Sequence, residues 1–339
     1  MRRVGVVVIG RNEGLRLQRC IVSLPSDSQI VYVDSGSTDG SADYATKAGC
    51  TVIKLDMQLP FTAARGRNAG IFHLQSQKTP PEYIQMVDGD CILDNNWIEK
   101  AVVALDTNPK LACVFGRRRE IDAKASIYNR LCDAEWNVLL GFIESCGGDA
   151  LFRTTSLVDV SGYRDSLIAG EEPDLCLRMQ QKGWLIERIS GEMTQHDAAI
   201  TSIRQWWLRT VRAGHAYAEH VWIHRSVAFH SWKVQLLRIL FWGIAMPVAA
   251  FGAVVSVALH YIAGTTMLAL ILMLYIFQFS RLFWRSRKAG YSWPDASKVA
   301  GLTLLGKLAE ARGVMKFALR NIFGDASRII EYKSPTAEP

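Results

Sequence analysis

Short apolar, β-branched runs alternate with amphipathic stretches through the first third of the chain, which predicts a mostly parallel sheet covered by helices. Val4 to Ile9 is too short for a buried helix and reads as the first strand. Leu17, Cys20, Ile21 and Leu24 then recur at helical spacing, with Asn12 placed to cap that helix. Ile30 to Val33 is the second strand and ends at Asp34. The turn Ser35-Gly36-Ser37-Thr38-Asp39-Gly40 leads into a helix that Gly49 stops. Thr51 to Leu55 is a third strand, Ala63 to Leu74 a helix, Tyr83 to Val87 a fourth strand and Leu111 to Phe115 a fifth.

The pattern changes after Arg204. Gln205-Trp206-Trp207-Leu208-Arg209, with Arg212, His215, Tyr217 and Trp222, mixes basic and aromatic residues as interfacial segments do. Two apolar stretches follow, Ile239 to Leu259 and Thr265 to Phe283, each long enough to cross a bilayer core. Only His260 to Gly264 lies between them, so they predict a hairpin. Lys233, Arg238, Arg281, Arg285, Arg287 and Lys288 flank its outer ends and place those ends in the cytosol. After a break at Gly290 to Pro294, Val299 to Phe323 sets Leu304, Leu305, Leu308, Val314, Phe317 and Ile322 among basic residues, fit to lie on a bilayer or against the domain. The expected organisation is a cytosolic catalytic domain over residues 1–220, an interfacial segment and two spanning helices over 221–290, and a tail over 291–339.

Composition agrees with a membrane-associated chain. Of 339 residues 49% are hydrophobic, and the excess lies between Leu236 and Trp284. The net charge of +7 suits anionic lipid and phosphorylated ligands, and no run of like charge points to nucleic acid. Seven cysteines without a CxxC pair read as reduced core residues of a cytosolic protein. The N-terminal apolar run is too short for an export signal.

Candidate chemistry sits at the strand ends. Asp88-Gly89-Asp90 closes the fourth strand, and in extended backbone both carboxylates point the same way, as hard ligands for Mg²⁺ or Mn²⁺ holding a diphosphate. The same tripeptide is also ordinary turn chemistry. Ligands of such sheets bind outside the carboxyl ends of the strands, so Asn12, Asp34 and Asp88 to Asp90 are expected along one crevice.

These residues resemble the inverting, nucleotide-sugar-dependent glycosyltransferases of family 2, which have the A-type glycosyltransferase fold. The likeness runs from Val4 to about His220. It rests on Val-Ile-Gly-Arg-Asn-Glu, Val-Asp-Ser-Gly-Ser-Thr-Asp-Gly-Ser, Ala64-Arg65-Gly66-Arg67-Asn68-Ala69-Gly70, Val87-Asp88-Gly89-Asp90, Gly148-Asp149-Ala150-Leu151-Phe152-Arg153, Gly162-Tyr163 and Gly170-Glu171-Glu172-Pro173-Asp174 through Arg178. The hairpin and the ending Ile330-Glu331-Tyr332-Lys333 look like the branch that builds bacterial surface polysaccharides on lipid carriers.

The resemblance implies that Asn12, Glu13 and Asp34 meet the nucleotide, the alternative for Asp34 being that it only caps its turn with Ser37. Arg67 is expected near the diphosphate or paired with surface carboxylates, and Asp88 and Asp90 as the metal pair. His196 falls where relatives place a further metal or phosphate contact, the alternative being a hydrogen-bonded surface histidine. Glu171-Glu172 stands where the family usually carries Glu-Asp, whose second carboxylate is the general base. Glu172 is therefore the expected base, with Glu171 or Asp174 as substitutes, although Asp174 and Arg178 at i,i+4 also make an ion pair. The Gln205 to Arg209 string lacks the arginine–tryptophan order of processive synthases, which implies single addition, and Trp206 and Trp207 read as interfacial anchors.

The resulting expectation is a bacterial inner-membrane enzyme with a cytoplasmic catalytic domain. It would move one sugar from a UDP- or GDP-sugar to a lipid-linked or glycan acceptor with Mg²⁺ or Mn²⁺. The rivals are a sugar nucleotidyltransferase, against which Glu13 stands where a basic phosphate loop would be needed, and an inactive membrane scaffold of the same fold.

Overall fold

The computed structural model describes residues 3–323, so the ending at Ile330 to Lys333 lies outside the described residues. The chain divides into two compact units, one formed by residues up to Thr201 and one beginning at Ser202. The expected boundary at residue 220 falls inside a helix of the second.

Unit one is the expected α/β domain, a mixed sheet flanked by helices. Its strands are β1 (Val4–Gly10), β2 (Gln29–Asp34), β3 (Thr51–Lys54), β4 (Tyr83–Asp88), β5 (Cys91–Leu93), β6 (Leu111–Glu120), β7 (Gly141–Phe142), β8 (Ala150–Arg153) and β9 (Leu185–His196). Its helices are α1 (Leu15–Ser23), α2 (Ser41–Lys47), α3 (Ala63–Gln75), α4 (Trp97–Thr107), α5 (Ile127–Glu135), α6 (Thr154–Asp159) and α7 (Glu171–Gln181). The order in the sheet is β3-β2-β1-β4-β8-β6-β9-β5, with β7 also on β9. The half from β3 to β4 is parallel, whereas β8 runs antiparallel to both β4 and β6, and β5 and β7 antiparallel to β9.

The parallel half is buried on both faces, which is why its strands read as unbroken apolar runs: Val6, Val7 and Val8 of β1 and Ile84 and Met86 of β4 are all fully buried. Helix α3 is pressed against β1 so closely that a Cβ on Gly70 would stand 2.4 Å from Val7 Cγ1. Thr62 caps α3 by accepting from the Arg65 N–H at 3.1 Å. Asn12 does not cap α1: the N-cap is Gly14, and Asn12 sits at φ 54 in the loop before it. All seven cysteines are free and buried, as expected of reduced core residues.

Unit two is helical. It comprises α8 (Ile203–His224), α9 (His230–Leu240) continued through a π-turn at 241–245 into α10 (Met246–Ala258), α11 (Ile262–Lys288) and α12 (Trp293–Phe323). His230–Ala258 and Ile262–Lys288 are each long and apolar enough to cross a membrane. Met246, Ala253 and Ile271 form a small shared core between α10 and α11, with Trp242 and Tyr275 against it.

Helix α12 packs against α8 rather than standing alone, at a crossing made of glycine. A Cβ on Gly214 would stand 2.0 Å from Glu310 O, and one on Gly313 would stand 2.1 Å from Val211 O. Trp206 is likewise buried, with its ring 3.5 Å from a Cβ position on Gly306, so it is a packing residue and not an interfacial anchor. Gly214→Ala is therefore expected to lower the detergent-solubilised protein's Tm, by overpacking worth about 1–3 kcal/mol. Gly252→Ala, which meets nothing within 4 Å, should leave Tm unchanged in the same thermal scan.

Candidate active site

Pairing register assembles the site. Gly10 of β1 lies opposite Asp34 of β2, and Ile9 lies opposite Asp88 of β4, so both aspartates emerge at one level on either side of β1. The Gly89 N–H donates to Ile9 O at 2.8 Å, and a Cβ there would stand 3.1 Å from that oxygen, so a bare backbone is needed. β4 ends at Asp88, and Gly89-Asp90 turn into β5. Strand alternation therefore stops before Asp90, and the two carboxylates meet different partners.

On the β2 side, Asp34 is 3% exposed and its carboxylate accepts from the Gly36 and Ser37 N–H groups at 3.1 and 3.0 Å and from the Tyr32 hydroxyl at 3.1 Å. Asn12 ties the two loops together: its N–H donates to Ser37 Oγ at 2.9 Å and its Oδ1 accepts from the Thr38 N–H at 2.8 Å. Beside them lies a cavity of about 350 Å³ lined by Asp34, Ser37, Thr38, Lys54 and Met57 among others. Glu13 pairs with Arg16 at 2.9 Å, and its Cγ lies 3.4 Å from a Cβ position on Gly89, next to the aspartate turn.

Arg67 is the hub of the β4 side. It is 3% exposed, and its guanidinium reaches Asp88 Oδ1 at 3.0 Å, Glu171 Oε1 at 3.0 Å and Glu172 Oε1 at 2.9 Å. Arg67 does pair with carboxylates, but in the interior rather than on the surface where that pairing was expected. Asp88 Oδ2 accepts from Arg118 at 3.1 Å, and Arg118 also pairs with Asp149 at 3.3 Å. Asp149 receives the Asp88 N–H at 3.0 Å and the Thr194 hydroxyl at 2.7 Å. Gly148 makes room for this: a Cβ on it would stand 2.8 Å from Arg67 Nη2 and 2.9 Å from Asp88 Oδ2. Asn68, next to Arg67, exchanges hydrogen bonds with both the N–H and the carbonyl of Tyr163 at 2.8 Å, which fastens α3 to the Gly162-Tyr163 turn.

Helix α7 delivers the glutamates. Gly170 takes φ 78 as its N-cap, and the helix starts at Glu171, two residues before Pro173. Glu171, Glu172 and Asp174 thus share the first turn, where the helix dipole favours negative charge. Asp174 is 1% exposed and pairs with Arg164 at 3.2 Å and Arg178 at 2.8 Å, while Arg178 also donates to the Val160 and Gly162 carbonyls. Those bonds hold the helix N-terminus onto the preceding turn, and Asp174 serves as an ion-pair residue.

His196, at the end of β9, is buried rather than on the surface. Its Nε2 lies 3.4 Å from Asp90 Oδ2, its Nδ1 3.6 Å from Glu120 Oε2, and its ring stands edge-on to Trp136 at 4.8 Å. Burial, followed by Arg118, pushes the His196 pKa down. For Asp88 burial pulls upward but Arg67 and Arg118 more than reverse it, leaving the carboxyl well below its ordinary range. Burial and the neighbouring Glu171 push Glu172 up to about 8, despite its contact with Arg67. The contact and the shift are compatible, because one guanidinium is shared by three carboxylates and cannot neutralise them all.

A divalent cation has a fitting donor set here. Two ligands of one small cation stand roughly 3 Å apart in octahedral coordination, and Asp90 with His196 supplies a carboxylate oxygen and an imidazole nitrogen near that spacing. Cys91 Sγ lies within 4.8 Å of both, but burial pushes its thiol up and keeps it a poor ligand. Asp88 has each oxygen on a guanidinium, which leaves a further lone pair on each and a quarter of the side chain exposed.

Sequence reasoning missed Arg118 and Asp149 as members of this centre. Asp149 was visible inside the Gly148 to Arg153 motif, and Arg118 in the basic run Arg117-Arg118-Arg119 that ends an apolar strand.

Residues 5–148 match the profile of the family described as Glycosyl transferase family 2. The chain is 26% identical over 178 residues to a poly-β-1,6-N-acetyl-D-glucosamine synthase of Staphylococcus epidermidis, spanning 48% of this chain and 42% of that protein. It is 23% identical over 220 residues to a pre-mycofactocin glycosyltransferase of Mycobacterium tuberculosis, spanning 61% and 45%. The chain thus spans less than half the length of these relatives. Its fold is similar to that of a mannosyltransferase from Pyrobaculum calidifontis solved with GDP-Man and Mn²⁺, with a TM-score of 0.60 and 15% identity over 96% of this chain and 88% of that one.

Proposed function

The N-terminal domain belongs to glycosyltransferase family 2, and from that premise we propose that the chain transfers one sugar, with inversion, from a nucleoside-diphosphate sugar to a membrane-associated acceptor. The observation that carries this reading is the buried Arg67 bridge, which draws the strand-end Asp88 and the helix-end Glu171 and Glu172 into one centre. The nucleotide takes the β2 side, against Asp34, Asn12 and Glu13. Asp90 and His196, joined by Asp88, would hold Mg²⁺ or Mn²⁺, which would supply positive charge against the departing diphosphate. Glu172 takes the acceptor hydroxyl's proton as that oxygen bonds to the anomeric carbon and the bond to the diphosphate oxygen breaks. Arg67 and Glu171 fix the orientation of Glu172.

The two apolar helices support an anchor in the bacterial inner membrane with residues 1–220 on the cytoplasmic side, where their basic flanks would lie. Residues 221–290 are assigned to the membrane segment and 291–339 to the tail. The test is release of free nucleoside diphosphate by the purified full chain from a panel of UDP- and GDP-sugars with Mn²⁺ or Mg²⁺, with and without membrane lipid extract. Pyrophosphate release would instead indicate a nucleotidyltransferase.

A pH dependence follows from Glu172. A base held at about 8 is protonated below that value, so kcat/KM should fall roughly tenfold per unit on the acid side of about pH 8. The same profile recorded for Glu172→Gln should lack that limb, and an unchanged limb would assign it to another group.

A further inference from the structure

Arg118 turns to the carboxylates, but Arg117 and Arg119 line a second cavity of about 590 Å³, together with Arg188, Asn137, Leu139 and Leu140. Two of its three guanidiniums are matched: Arg117 pairs with Asp133 at 2.7 Å and Arg119 with Glu192 at 2.6 Å. Arg188 is not. It is 6% exposed, its one side-chain hydrogen bond runs to the neutral Asn137 Oδ1 at 3.1 Å, and its Nε is buried without a hydrogen-bond partner. It forms no ion pair among the described residues. Burial, then Arg117, lowers its pKa, and Glu192, which also lines the cavity, offsets this only in part. A buried guanidinium left this way costs free energy that a phosphate recovers by bidentate bonding.

The rim of the cavity says which phosphate. Leu139 is 86% exposed and Leu140 61%, with Phe142 at 66% two residues on. A soluble anion has no use for two large exposed apolar side chains beside it, whereas a phosphate-headed lipid uses both halves: head on the guanidiniums, first carbons of the tail along the leucines.

We propose that this cavity is a binding site for the phosphate or diphosphate head of a lipid, and that it serves the lipid-linked acceptor. The acceptor role rests on the function proposed above; the lipid binding does not. Arg117 and Arg119, which line the cavity, are the chain neighbours of the Arg118 that reaches Asp88.

The experiment measures retention of ³²P-labelled farnesyl phosphate by the immobilised full chain in neutral detergent, with farnesol and inorganic phosphate as competitors and neither donor nor metal present. Arg188→Gln should weaken retention tenfold or more, and so should Leu139→Ser/Leu140→Ser, whose side chains are exposed and whose replacement leaves the core intact. Unchanged retention in both variants overturns the site. Equal binding of inorganic phosphate also overturns it, in favour of a soluble anion. A protein that retains farnesyl phosphate through Arg188 but releases no nucleoside diphosphate from any nucleotide sugar keeps this site and loses the transfer reading; the reverse result removes the site alone.

Discussion

Asp90→Ala is expected to abolish sugar transfer, lowering turnover by about 10³-fold or more while the fold persists. Asp90 lies in the two-residue turn between β4 and β5, and its Oδ2 faces His196 Nε2 at 3.4 Å. Removing it deletes the carboxylate of the only Asp–His pair proposed to hold the cation, and leaves the Asp88, Arg67 and Arg118 bridges in place. The control is Asp88→Ala. That change strips a partner from the buried Arg67 and from the partly buried Arg118, and is expected to cost stability, up to about 3 kcal/mol, the lower end of what breaking a buried pair costs. The two variants thus separate. Nucleoside-diphosphate release across a Mn²⁺ titration should vanish in both, while circular dichroism and Tm should move only in Asp88→Ala. Full activity of purified Asp90→Ala would remove the cation from this site.

How far the chain could be read from its residues follows from the length and locality of each element. β1, β2, β3 and β4 and helices α1, α2 and α3 fall within a few residues of their expected bounds, because each is a local periodicity bounded by its own turn. β5, β7 and β8 are strands of three, two and four residues held by antiparallel partners far along the chain, and nothing in so short a run sets it apart from loop. The candidate site divides the same way. Asp34, Asp88 and Glu172 could be found because they sit at strand ends and in a short motif. The role of Arg67 could not, since its glutamate partners are 104 and 105 positions away and meet it only once α3 and α7 are docked. Asn12 was misread because Asn is both a good N-cap and one of the few residues tolerant of positive φ, and here the second property decides.

Glu172→Gln is expected to keep donor binding and lose turnover by about 10²–10⁴-fold, the usual contribution of a general base. Gln has the same length and still accepts the Arg67 N–H, so the bridge retains Asp88 and Glu171 as its anionic partners. What it cannot do is take a proton. The choice of Glu172 over Glu171 rests on access: both touch Arg67, but the Glu172 side chain is 14% exposed against 6% for Glu171, so it is the one an acceptor hydroxyl can reach. Its raised pKa also favours it, since a base near the working pH removes a proton more effectively than an ordinary carboxylate. Single-turnover kinetics with matched donor KM would measure this directly. Glu171→Gln should then lower turnover less, through misorientation of Arg67, and Asp174→Asn should lower Tm rather than turnover because its carboxylate is spent on Arg164 and Arg178. Wild-type turnover in Glu172→Gln with a hundredfold loss in Glu171→Gln would exchange the two roles, and the extra methylene that Glu172 carries relative to the family's usual aspartate would then be the reason it stands back from the acceptor.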